Sequence, residues 1–89
     1  MVERIDLLER MRRSKGGWRP DDLARLYSSF GFDALEGAKH KLYIHPIYPD
    51  LRATVTHSST LPVGYVSQAV RIVDELRKRL READHGNDE

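Results

Sequence analysis

The chain has 89 residues, 39% hydrophobic and 33% charged, with a formal net charge of +1 and no cysteine. That composition suits one small domain with a thin core and excludes a disulfide framework and thiolate metal sites, so a cytoplasmic setting is the simplest expectation. No apolar run approaches the roughly 20 residues of a membrane span, and the charged start Met1-Val2-Glu3-Arg4 lacks the apolar core of a signal peptide.

Val2 to Arg13 carries Ile5, Leu7, Leu8 and Met11 at near-helical spacing, with Glu9 and Arg13 at i,i+4, and predicts a short amphipathic helix. Ser14-Lys15-Gly16-Gly17 breaks it. Pro20 opens a second helix, with Asp21 and Asp22 at the positive end of its dipole. Leu23, Leu26, Tyr27 and Phe30 form its buried face, and Gly31 stands at the left-handed C-terminal position. Short strands are expected at 32–36, 40–45 and 52–57, the last two separated by the turn Pro46-Ile47-Tyr48-Pro49-Asp50. Their tight spacing favours an antiparallel meander.

Ser58-Ser59-Thr60 reads as loop, and Leu61-Pro62 leads into a final helix. Val63, Val66, Val70, Val73, Leu76 and Leu80 recur there at three- and four-residue steps, with Asp74–Lys78 and Glu75–Arg79 pairs on the solvated side. The tail 84–89, which includes His85, has no apolar pattern and is expected to be disordered. The fold class is therefore α+β: a small three-stranded antiparallel sheet with helices on one face. Leu26, Phe30, Val66, Val70 and Val73 are expected in its core. Residues 1–17 form a helical extension, 18–83 the domain and 84–89 the tail.

Gly37-Ala38-Lys39-His40-Lys41-Leu42-Tyr43-Ile44-His45-Pro46 resembles the central motif of HicA toxins. There a Gly-Ser-His triplet precedes one residue, an apolar or aromatic pair and often His-Pro. Aligned by His45-Pro46, His40 stands at the catalytic histidine, while Ala38 and Lys39 replace the Gly-Ser pair. A left-handed backbone at position 38 would strain alanine. Asp22 to Phe32 resembles the family's first helix with its Gly-Phe end. Thr54-Val55, His57 and Leu61-Pro62-Val63-Gly64 resemble the third strand and the start of the last helix. The similarity covers residues 18–77.

It implies a double-stranded-RNA-binding-domain-like fold (α-β-β-β-α) behind an extra N-terminal helix, and a type II toxin that cleaves mRNA. It also implies a HicB-type antitoxin as partner. His40 would serve as acid or base without a metal, and Lys39 and Lys41 would offset charge on the phosphorus. His57, at a strand end, is placed to reach a phosphate. Arg12, Arg13 and Lys15, with Arg10, would track the RNA backbone or simply form a solvated helix end.

His45 reads as a turn residue bonding the backbone. Trp18 reads as an apolar lead-in to the second helix, and Tyr43 and Tyr48 are open between packing and base contact. The histidines lack metal-ligand spacing, so no metal or other cofactor is expected. Two other classes stay open: a non-catalytic RNA-binding module and a protein-interaction domain.

Overall fold

The computed structural model describes residues 3–57 and 61–86. The expected loop Ser58-Ser59-Thr60, the end of the expected tail (87–89) and the side chain of His85 lie outside the described residues. The order is α1 (Glu3–Arg13), α2 (Pro20–Ser29), β1 (Asp33–Glu36), β2 (His40–Ile44), β3 (Arg52–Thr56) and α3 (Val63–Gly86). This is the predicted α-α-β-β-β-α succession, with strands shorter by one residue each. α3 runs through Gly86, three residues beyond the predicted end of the domain. No described helix is long and apolar enough to cross a membrane.

α2 has the ends its sequence announces. The Asp22 carboxylate accepts the Arg19 backbone N–H at 2.9 Å, which satisfies a donor just ahead of the first turn. At the other end Gly31 has φ +88°. Its N–H donates to the Ser28 carbonyl at 3.1 Å, and the Phe32 N–H donates to Tyr27 O at 3.0 Å. These two bonds close a Schellman motif, and its usual apolar contact is present as Phe32 against Tyr27, edge to face at 5.1 Å.

The sheet order is β1-β2-β3, both pairs antiparallel. The register sets Tyr43 opposite Ala53 and Lys41 opposite Val55. Tyr43, Ala53 and Val55 are buried, and Tyr27 of α2 stacks on Tyr43 at 4.7 Å. The helices therefore cover the face that carries these residues. The opposite face, with Leu35, His40, Leu42, Ile44 and Thr54 by strand alternation, is left partly or fully exposed.

Leu26, Phe30, Val66, Val70 and Val73 are all buried, as expected. α1 packs against α2 and α3 and contributes Leu7, Leu8 and Met11 to the same buried cluster. The segment read as an extension thus supplies part of the one core. Tyr27 is buried with its hydroxyl lacking a hydrogen-bond partner among the described residues. Desolvation holds that phenol well above its ordinary pKa.

Candidate functional site

The turn Gly37-Ala38-Lys39 delivers His40 to the head of β2. The Gly37 N–H donates to the His40 carbonyl at 2.9 Å. A Cβ at position 37 would stand 2.7 Å from that oxygen, so close approach is what demands glycine there. No described non-glycine residue has positive φ. Ala38 therefore carries none of the left-handed strain considered for it.

His40 is exposed and pairs across the ladder with Thr56. Alternation then separates it from two of its expected collaborators. Lys41 lies on the helix-covered face with Tyr43, its Nζ 5.8 Å from the Tyr43 ring centre. That Nζ is also 3.7 Å from Glu36 Oε1. His57 joins the same cluster, with Nε2 3.1 Å from the Gly37 carbonyl oxygen and 3.3 Å from Glu36 Oε2. Lys41 and His57 are thus gathered on Glu36 and not on His40. Lys39, in the turn and next to His40 in sequence, is exposed, and its carbonyl accepts the His57 N–H at 3.3 Å.

Glu36 had no role in the sequence reading. The signal that reaches it is hairpin parity: with Ala38-Lys39 as a two-residue turn closed by Gly37 and His40, Glu36 pairs with Lys41.

The N-terminal basic segment is largely committed within the protein. Arg12 donates two hydrogen bonds to Asp74 of α3, at 2.6 and 2.8 Å, and a longer one to Glu9. This replaces both expected i,i+4 pairs, Glu9–Arg13 and Asp74–Lys78. The contact lowers the Asp74 pKa, chiefly through the Arg12 hydrogen bonds. Lys15 Nζ donates to the Arg12 carbonyl at 2.7 Å and Trp18 Nε1 to the Ser14 carbonyl at 2.7 Å. Both close the C-terminal end of α1. Arg10 lies over the Trp18 ring.

Arg12 and Lys15 are therefore helix-tying residues, and of the four basic residues of this segment assigned to RNA, Arg10 and Arg13 are exposed, Arg10 lying 3.9 Å from Asp6. Arg12→Ala is expected to cost about 1 kcal/mol, since the pair is bidentate but partly solvated. The loss should largely vanish when Asp74 is already alanine. Thermal melts of the four chains of that cycle measure it.

His45 is buried. Its Nδ1 accepts the N–H groups of Ile47 and Tyr48 at 3.2 and 3.3 Å, which confirms it as the residue that organises the β2–β3 turn. Burial pushes its pKa down, partly opposed by Asp33. A depressed folded-state pKa means that its contribution is complete above the unfolded value of about 6.5. It is lost as pH falls through the folded value, because protonated Nδ1 cannot accept either bond. Stability should thus decline on acidification below about pH 6.5, and His45→Asn should flatten that decline in melts followed against pH.

Arg79 clamps the other side of this turn. It donates to both Asp50 oxygens at 2.9 and 2.8 Å and to Glu75 at 3.0 Å. Its guanidinium lies over the Tyr48 ring. Tyr43 and Tyr48 are packing residues. Among the described residues no group of three histidines or carboxylates gathers in a metal-holding cluster. No family model, curated protein or solved structure matches this chain.

Proposed function

We propose that this chain is an RNA-cleaving domain of the HicA type, with His40 as the residue that moves the proton. The observation that carries this reading is an exposed imidazole at the head of β2, on the sheet face the helices leave uncovered. The run α2-β1-β2-β3-α3 matches the order of a double-stranded-RNA-binding-domain-like fold and supports the same reading. The resemblance of the His40 motif adds to it.

The chemistry needs only groups of this kind. Neutral imidazole takes the proton of an RNA 2′-hydroxyl, the oxygen attacks the adjacent phosphorus, and the departing 5′-oxygen takes a proton in turn. The products are a 2′,3′-cyclic phosphate and a 5′-hydroxyl. Lys39, beside His40, is the cation available to the pentacoordinate phosphorus, since Lys41 is held on Glu36 across the sheet. A HicB-type antitoxin would cover the same face. Its apolar patch of Leu35, Leu42 and Ile44 suits a protein more than a nucleic acid. An RNA substrate and a cysteine-free chain both fit a cytoplasmic setting.

That patch also favours a second reading, a protein-interaction domain without catalysis, because Leu35 is 57% exposed. Incubating purified protein with single-stranded RNA and excess chelator, then analysing the ends, separates the two. Cyclic-phosphate ends that disappear in His40→Ala support the nuclease. RNA left intact and unbound by the wild-type protein supports the interaction domain.

A further inference from the structure

β1 is an edge strand whose four residues are all exposed. Natural edges are commonly blunted by proline, lysine or a bulge. Asp33-Ala34-Leu35-Glu36 has neither residue and its register with β2 is continuous; it is short and acidic at both ends, which guards it against an acidic strand but not against a basic one.

The turn bond from Gly37 to His40 sets the alternation of the ladder. Backbone groups of Asp33, Leu35 and Gly37 face β2, so those of Ala34 and Glu36 face outward. The edge therefore offers two N–H and two C=O groups to an incoming strand. Beside it runs an open cleft of about 720 Å³, bounded by Asp21, Arg25 and Ser28 of α2 and by Asp33, Ala34 and Lys41 of the sheet. Side chains alternating to the helix side of an added strand would enter this cleft.

The charge there is lopsided. Asp22 engages Arg25 at 3.4 Å and Glu36 engages Lys41 at 3.7 Å. In the cleft Asp21 is left without a cation among the described residues; Asp33 has none either, but alternation sets its side chain on the opposite face, with Ile44.

We propose that the free edge of β1 docks an extended basic segment of a protein partner as a fourth strand, with a cationic side chain on its helix side set beside Asp21. Backbone pairing supplies the geometry and the acidic cleft selects the sign of charge. A second copy of this chain fits poorly. The β1 of a second copy, Asp33-Ala34-Leu35-Glu36, carries no cationic side chain to set beside Asp21. The proposal is independent of the RNA reading, because it uses the strand edge and the helix side of the sheet, away from His40.

The test is an NMR titration of the full chain with a short acetylated peptide alternating lysine and valine. A glutamate–valine peptide is the control. The lysine peptide should shift the Ala34 and Glu36 amide signals and protect both from exchange, and the control should not. Ala34→Pro removes an outward N–H, which an edge strand tolerates, and should abolish binding while the rest of the spectrum is kept. Asp21→Asn should weaken binding about two- to fivefold at low salt.

Four results would overturn the proposal, three of them in the titration. One is equal binding of both peptides, and another is shifts confined to the His40 face. The third is no response to the lysine peptide at millimolar concentration. Line broadening that grows with protein concentration alone would assign the edge to a second copy and overturn it as well.

Discussion

RNA cleavage by His40→Ala is expected to be slower than wild type by about 10²–10⁴-fold, the usual consequence of removing a general acid or base. The fold should survive. The turn is closed on the His40 carbonyl and not on its ring, and the side chain is exposed. What alanine forfeits in the ladder is one cross-strand side-chain pairing with Thr56, worth about 0.2–1 kcal/mol.

Lys41→Ala is the informative companion, because Lys41 lies on the opposite face against Tyr43. It should cleave nearly as well as wild type. Cleavage equal in wild type and His40→Ala would remove His40 from the mechanism. RNA binding by both without cleavage by either would make this a binding module.

Leu8→Ala and Met11→Ala are each expected to cost about 2–5 kcal/mol, and the double variant to be unfolded at room temperature. Both side chains are fully buried, in the core shared with α2, the sheet and α3. The cost has two parts, the lost transfer of apolar surface and the void left in a core with little freedom to collapse. A domain of this size has only about 5–15 kcal/mol in total. Circular dichroism with urea titration measures the loss. A melting curve unchanged in either single variant would mean that α1 is a detachable extension after all.

Much of the fold was legible because it is locally encoded. Pro20 and Asp22 mark the start of α2 and Gly31 its end, and the i, i+3, i+4, i+7 stripe names its buried face. Tyr43, Ala53 and Val55 show the period-two face of the sheet. The ion pairs were not legible. Arg12 and Asp74 are 62 residues apart and Arg79 and Asp50 are 29 apart. Nearest-neighbour pairing on one helix therefore gave Glu9–Arg13 and Asp74–Lys78, where tertiary contacts won. Glu75–Arg79, a true i,i+4 contact, was found at 3.0 Å.

The candidate site fared in between. Flanking lysines look close to His40 in sequence, yet strand alternation sends Lys41 to the other face. That rule was readable before any coordinates, once 40–45 was taken as a strand. The capture of His57 by Glu36 was not readable, since it depends on the register of two separate hairpins.

The position of the imidazole depends on a count. Tyr43 is locked inward by its stack on Tyr27, and His40 stands three residues before it, an odd number that turns it outward. Substitutions at positions 38 and 39 leave this relation untouched. An insertion or deletion between 40 and 43 reverses it, turning the ring toward α2 and the helix layer. Among descendants of this sequence, length in that stretch should therefore vary less than composition, and a lineage could exchange every turn residue but Gly37 before it could gain or lose one residue of β2.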